Sequence, residues 1–213
     1  MIDLHVHSTF SDGELIPAEA ASRAFAAGYK ALAITDHADP SNIEHIVKNI
    51  CRFCKEMEGF KEIDVYPGVE ITHVPPGLIR PLALRARELG ARVVVVHGET
   101  IVEPVPKGTN LAAIRAKVDI LAHPGLLTEA EARLARKNNV FLEITARKGH
   151  CLTNGHVARL AMKVGARMVY NTDSHSPGDF TPWDKALRII RGASLSERDA
   201  IKMQENARKI IGK

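Results

Sequence analysis

The sequence predicts an α/β fold built on parallel strands, and three observations carry that expectation. Short apolar, β-branched runs alternate with longer helical patterns from one end to the other. One run, Val93-Val94-Val95-Val96, is apolar on both faces, as a parallel strand covered on both sides must be. The spacing between runs is roughly 22–33 residues, the size of one strand-plus-helix step. Right-handed crossovers then leave two arrangements, an open doubly wound sheet or a closed barrel.

The strand candidates are residues 2–7, 31–35, 64–71, 92–97, 119–122, 140–145 and 167–172. Pro17 suits the first position of the helix after the first strand, and Gly28 suits its exit. Thr128-x-x-Glu131 forms a capping box ahead of Leu134 and Ala135. Thr153 or Asn154 is expected to cap a helix whose Val157, Leu160, Ala161 and Val164 make one apolar stripe. Thr181-Pro182-x-Asp184 is expected to open the next helix, and Ser196-x-x-Asp199 the last. That last helix ends in Lys202, Arg208, Lys209 and Lys213, a solvated end that suits the helix dipole.

Composition excludes more than it selects. A chain of 213 residues can bury a sizeable core as one domain spanning 1–213, and no linker or low-complexity stretch divides it. Hydrophobic residues at 45% and charged residues at 25% are ordinary for a globular protein. No apolar run reaches the roughly 20 residues of a membrane-spanning helix. Met1-Ile2-Asp3-Leu4-His5 lacks the cationic and apolar regions of a signal peptide, so a cytoplasmic location is expected. Cys51-x-x-Cys54 has no second pair to close a zinc site, and with Cys151 it makes no disulfide framework. A net charge of +4 leans toward anionic substrates, but no dense Lys/Arg block marks a nucleic-acid groove. Neither a P-loop, a Gly-x-Gly-x-x-Gly turn nor a Gly-x-Ser-x-Gly elbow follows any strand.

The informative pattern is positional. His5 and His7 end the first strand, His37 follows the second, and Glu70 closes the third. His97 follows the valine run, His123 the next strand, and Asp173 and His175 the last. Such residues meet in space only if parallel strands share one mouth at their C-terminal ends, as in a barrel or, less convergently, an α/β crevice. His5-x-His7 places two imidazoles on one side of an extended strand. Imidazole mixed with carboxylate suits Zn, Mn or Fe, whereas Ca or Mg sites normally use oxygen alone.

At these residues the chain resembles the polymerase and histidinol phosphatase (PHP) superfamily. Asp3-Leu-His5-Val-His7-Ser-Thr-Phe-Ser-Asp12-Gly13 looks like its opening motif, Ile34-Thr-Asp-His37 its second and Gly68-Val-Glu70-Ile71 its third. His97, His123-Pro124 and Thr172-Asp173-Ser-His175 complete the order. The resemblance implies a distorted (β/α)7 TIM-like barrel holding two or three divalent metal ions. It implies that His5, His7, Glu70 and Asp173 hold one ion, and that Glu70 bridges to a second with His97 and His123. Asp12, His37 and His175 would hold the third. Glu70 and Asp173 would then be catalytic, serving ions that lower the pKa of a bridging water and clamp phosphate oxygens.

The implied activity is a metal-dependent phosphoesterase acting on a small phosphate monoester of the histidinol phosphate kind. A phosphodiesterase or exonuclease on short nucleic acids is the alternative. An amidohydrolase-like enzyme is disfavoured by a count of seven strands and by Glu70 at the bridging position. A non-catalytic scaffold, as in a ribonuclease P subunit of similar fold, is disfavoured by the intact ligand set. Further candidates are weaker. Glu143 either supports a ligand or satisfies barrel-interior polarity. Arg147 offers a fork for phosphate and His150 a general acid, on a loop with Lys148 that should overhang the mouth. Lys107 and Thr109-Asn110 could form another substrate wall. Asp36 could orient a ligand histidine or cap a turn. His45, His73 and His156 read as surface or packing residues.

Overall fold

The computed structural model describes residues 1–59 and 62–212, so Lys213 lies outside the described residues. The strands are β1 (Ile2–Val6), β2 (Ala31–Ile34), β3 (His37–Ala38), β4 (Asp64–Ile71), β5 (Val93–His97), β6 (Ile120–Ala122), β7 (Phe141–Thr145) and β8 (Met168–Asn171). All pairings are parallel in the order β1-β2-β4-β5-β6-β7-β8, and β3 is a two-residue offset of the second stave that pairs with β4. The helices are α1 (Pro17–Ala26), α2 (Ile43–Met57), α3 (Pro76–Glu88), α4 (Thr109–Ala116), α5 (Glu129–Asn138), α6 (Asn154–Val164), α7 (Trp183–Gly192) and α8 (Glu197–Ile210). The result is a nearly closed, distorted seven-stave barrel.

The seam between β8 and β1 explains the distortion. Among the described residues a single bridge, from Val6 to Ser174 just past β8, spans the seam, with the His7 N–H donating to the Ser174 carbonyl at 2.8 Å. Side chains do the rest. The Leu4 N–H donates to Asn171 Oδ1 at 2.8 Å, and Thr172 donates its N–H to the Asp3 carboxylate. These bonds pair backbone groups that an open edge would leave bare.

Two cores follow from the two-residue strand period. Ile2, Leu4, Ala31, Ala33, Val93, Val95, Ile120, Phe141 and Val169 fill the barrel, and Ala207 and Ile211 at the end of the chain join them. The alternate residues Leu32, Ile34, Val94, Val96, Leu121, Leu142 and Ile144 pack outward among the helices. Continuing each inward series toward the strand's C-terminal end gives Ala31-Ala33-Thr35, Val93-Val95-His97, Phe141-Glu143-Thr145 and Val169-Asn171-Asp173. The interior is therefore apolar at its base and polar at its mouth. On β1 a register irregularity between Asp3 and Val6 moves the inward face from Leu4 to His5 and His7.

Helix starts divide into two groups. The capping boxes at Thr128/Glu131 and Ser196/Asp199 form as the sequence predicts, and Pro17 opens α1. The helix expected after Thr181-Pro182 opens at Trp183, but Thr153 and Asn154 make no side-chain cap on α6. Asn154 is drawn instead to the end of β7, donating to the Thr145 carbonyl and accepting from its N–H. The Thr181 hydroxyl pairs with Tyr170 at 2.8 Å, and its carbonyl accepts from the buried Tyr29 hydroxyl. Tertiary partners that sequence windows do not contain outcompete the local cap. Cys51 and Cys54 are free residues on α2. No helix among the described residues is long and apolar enough to cross a membrane.

Candidate metal centre

The ligand-type residues converge because the strand ends do, and local backbone turns aim them. Gly68 lets β4 reach the mouth, since a Cβ there would sit 2.6 Å from Thr35 Cγ2 and 3.0 Å from the Val93 carbonyl oxygen. His123 and Asp173 both adopt positive φ, 26° and 53°, so the chain bends sharply after β6 and β8. Such conformations are costly for non-glycine residues and cluster at functional sites. Asp36 accepts from the Ser8 N–H and from the Ser8 and Ser11 hydroxyls, fixing the turn that presents Asp12. It caps that turn and bonds to no histidine among the described residues.

The first group of donors is buried. His5 Nε2 lies 3.3 Å from Glu70 Oε1 and 3.7 Å from Asp173 Oδ1, and His7 Nε2 lies 3.3 Å from Asp173 Oδ1 and 3.8 Å from Glu70 Oε2. His123 Nε2 is 3.5 Å from Asp173 Oδ2 and 3.8 Å from Glu70 Oε1. Most of these separations are long for hydrogen bonds. They match the spacing of about 3.4 Å between neighbouring ligands of a tetrahedral ion with bonds near 2.1 Å. The second group is Asp12, His37 and His175. Asp12 Oδ1 stands 3.5 Å from His37 Nε2 and 3.3 Å from His175 Nε2, with His7 behind them. The third group, His97, His123 and His150, comes from three consecutive staves.

A cation fits this chemistry. His5 Nε2, both ring nitrogens of His7, His123 Nδ1 and Glu70 Oε1 are buried without a hydrogen-bond partner. Orphaned buried polar atoms are costly, and several in one place call for an ion. Electrostatics agree. Burial pushes Asp173 up to about 7 and His7 and His123 well down. His5 is held well above its usual value against the burial penalty by the carboxylates of Glu143, Asp173 and Glu70. Neutral histidines are what metal ligation needs, and a cation releases the proton from Asp173.

Glu143 is fully buried beneath these donor groups. It accepts from His5 Nδ1 at 2.8 Å, from Asn171 Nδ2 at 2.8 Å and from the His123 N–H at 3.1 Å. The His5 bond leaves Nε2 bare toward Glu70 and Asp173, the arrangement by which a carboxylate fixes a ligating histidine's tautomer. His37 is turned similarly, with Nδ1 on Glu70 Oε2 at 2.6 Å and Nε2 toward Asp12.

Above the donors lies a cavity of 190 Å³ lined by Asp12, His37, His97, Arg147, His150 and Asp173, among others. Arg147 is 32% exposed there, its Nη1 3.4 Å from Asp179. His150 is buried, stacks on His123 at 4.1 Å and bonds through Nδ1 to Thr100 at 2.8 Å. Lys148 is exposed. Lys107 and Thr109-Asn110 do not line the cavity. Asn110 is buried, donating to the Pro124 carbonyl and accepting from the Glu99 N–H. His45 and His156 pack at the surface, but His73 faces the cavity together with Glu103, a residue sequence reasoning passed over. A larger hollow of 730 Å³ beside Cys51, Cys54 and Arg92 contains none of the ligand groups.

Residues 3–139 match the PHP domain family. The chain belongs to that family. An uncharacterised protein of Methanocaldococcus jannaschii is 45% identical over 92% of this chain and 91% of its own length. A protein of Thermoanaerobacter named a probable phosphatase is 24% identical over 92% of this chain and 88% of its own. Among solved structures, a chain of archaeal ribonuclease P with mature tRNA superposes with a TM-score of 0.73, at 20% identity over 99% of this chain and 90% of that one. Histidinol phosphate phosphatase of Lactococcus lactis, solved with zinc, L-histidinol and phosphate, gives 0.62 at 17% identity over 91% and 94%. At these identities the two structures speak to the fold alone.

Nine donors for ions that each take about four, with carboxylates shared, set an expectation of two or three transition-metal ions per chain. Uptake should weaken toward acid, because Asp173 must give up its proton. Elemental analysis after reconstitution checks this, and less than one ion per chain would exclude the assignment.

Proposed function

We propose that this metal-dependent phosphatase hydrolyses a small phosphate monoester, of the size and charge of histidinol phosphate. The observation that carries the reading is the junction of the buried donor groups with a mouth cavity of only 190 Å³ that contains Arg147. That volume suits a phosphate and a small leaving group and falls below the usual 300–1,000 Å³ of larger ligand sites. The probable phosphatase relative, similar over nearly its whole length, supports the same reaction class.

His5, His7, Glu70 and Asp173 would hold one ion, with His97 and His123 beside it and Asp12, His37 and His175 around another. Bound ions would supply a bridging hydroxide as nucleophile and neutralise charge developing on the phosphoryl oxygens. The chain's own residues orient and enclose. Glu143 fixes His5, the Asp36 turn presents Asp12, and Arg147 reaches into the cavity as the bidentate anion partner. His150 lines the wall where a leaving alkoxide would emerge, and burial, which lowers it to about 4, makes its neutral form dominant. That favours positioning through its N–H over proton donation from an imidazolium.

A panel of phosphate mono- and diesters, assayed with Zn, Mn, Fe and Mg, tests the substrate class. Monoester turnover well above diester turnover is expected, and the reverse order would replace this reading with the phosphodiesterase alternative. On the monoester found, Arg147→Ala should raise KM by an amount worth about 1.5–3 kcal/mol while metal content stays the same. Arg147→Lys should recover part of the charge but not the fork. Unchanged kcat/KM in both variants would return Arg147 to its pairing with Asp179.

A further inference from the structure

One carboxylate oxygen holds the turn that follows β8. Asp179 Oδ2 accepts from the His175 N–H at 2.9 Å and from the Ser176 N–H at 2.8 Å, and the Asp179 N–H donates back to the Ser176 carbonyl at 3.1 Å. The His175 carbonyl accepts in turn from the Glu14 N–H at 2.7 Å, and its ring Nδ1 lies 3.0 Å from the Asp173 carbonyl oxygen. A carbonyl oxygen only accepts, so the neutral ring keeps its proton on Nδ1 and turns Nε2 toward Asp12. Asp179 thus secures the backbone that aims His175.

The same oxygen reaches across the mouth to Arg147. Arg147 Nη1 lies 3.4 Å from Asp179 Oδ2, and Arg147 pairs with no other carboxylate among the described residues. The Arg147 backbone is anchored on both sides, its N–H donating to Thr145 Oγ1 at 3.1 Å and its carbonyl accepting from the Cys151 N–H at 3.0 Å. Oδ2 has already spent its lone pairs on two short bonds to backbone N–H groups, so its contact with Arg147 is long and rests on charge. That contact takes only Nη1. The Nε–Nη2 edge of the guanidinium stays free for an anion in the cavity that Arg147 lines.

We propose that Asp179 is a positioning residue for anion capture, holding Arg147 over the mouth in an ordered pose from which its free edge takes two phosphate oxygens. Two effects of the Asp179 charge oppose each other, and their sizes decide the sign. Ordering a free arginine costs an anion site up to about thirtyfold in affinity. Repulsion between a carboxylate and an anion across a water-lined mouth costs about fivefold or less. Positioning outweighs repulsion while Arg147 is present, and only repulsion remains once it is gone. The inference rests on Arg147 as the anion partner and not on the identity of the ester.

The test is calorimetric binding of inorganic phosphate to the zinc-loaded full chain, in wild type, Asp179→Asn, Arg147→Ala and the double variant. Asparagine keeps a carbonyl oxygen for the two backbone N–H groups and loses the charge, so zinc content and Tm should match wild type. Asp179→Asn should bind phosphate about three- to tenfold more weakly than wild type. In the Arg147→Ala background the same change should leave affinity unchanged or tighten it by up to about fivefold. A role confined to the His175 turn would weaken phosphate binding by the same factor in both backgrounds, and that result would overturn the proposal. Wild-type affinity in Asp179→Asn beside a weakened Arg147→Ala would also overturn it, leaving the role of Arg147 standing. Wild-type phosphate affinity in Arg147→Ala would overturn both.

Discussion

Replacing Glu70 by Gln is expected to abolish turnover, a loss of about a thousandfold or more. Glu70 is fully buried and stands within 3.8 Å of ring nitrogens of His5, His7, His37 and His123. Asp173 lies as close to four histidines, His5, His7, His123 and His175, but Glu70 alone of the two also reaches His37. The amide keeps the volume but removes the charge that two ions would share, and its NH2 group would point at lone pairs. The inner ions should therefore be lost or displaced, and the electrostatic stabilisation they lend a phosphoryl transition state lost with them. Steady-state kinetics and metal content measured together check this, with His45→Ala as the surface control expected to stay near wild type. Comparable losses in both variants would mean that strand-end position selected the wrong residues.

Much of this site was legible in the sequence because the barrel converts one-dimensional periodicity into three-dimensional convergence. A histidine two residues after an inward valine, as in Val93-Val95-His97, must project into the mouth if the strand is parallel and closed on both sides. The same rule places Asp173 and Glu143. What it could not place are residues past the strand, where the two-residue period ends. His73 reaches the lip through a backbone turn at φ 54°, which no periodic pattern announces. Glu103 sits between apolar Ile101-Val102 and Pro104, in a loop without period, so no pattern announces its place beside His97. Thr109-Asn110 looked like a substrate wall because it follows His97, yet Asn110 is spent on holding the loop. The cap expected of Asn154 fails for a related reason. Its amide is claimed by the Thr145 backbone at the end of β7, and local windows cannot weigh that competition.

Glu143 was legible as a candidate but not as a role, and its substitution separates the two readings. If it only satisfied interior polarity, Glu143→Gln would leave metal affinity near wild type, since the amide has similar volume and can still bond to Asn171. Its contacts argue otherwise. The carboxylate accepts the hydrogen bond of His5 Nδ1–H, which fixes Nε2 as the free lone pair and raises its basicity, and it also accepts from the His123 N–H. A glutamine can keep one of these acceptor bonds, but its NH2 group then faces a donor. It also carries no charge to polarise His5. Metal affinity should fall about ten- to a hundredfold, with activity at limiting metal falling in parallel. Excess metal should restore part of the activity, a response that loss of a substrate contact would not give. The metal-free variant should stay folded, and the rise in Tm on adding zinc should shrink. Chelator competition measures the affinity, and nitrogen-15 spectra of the His5 ring report its tautomer. An unchanged affinity together with an unchanged His5 tautomer would show that Glu143 fills the barrel without tuning the metal.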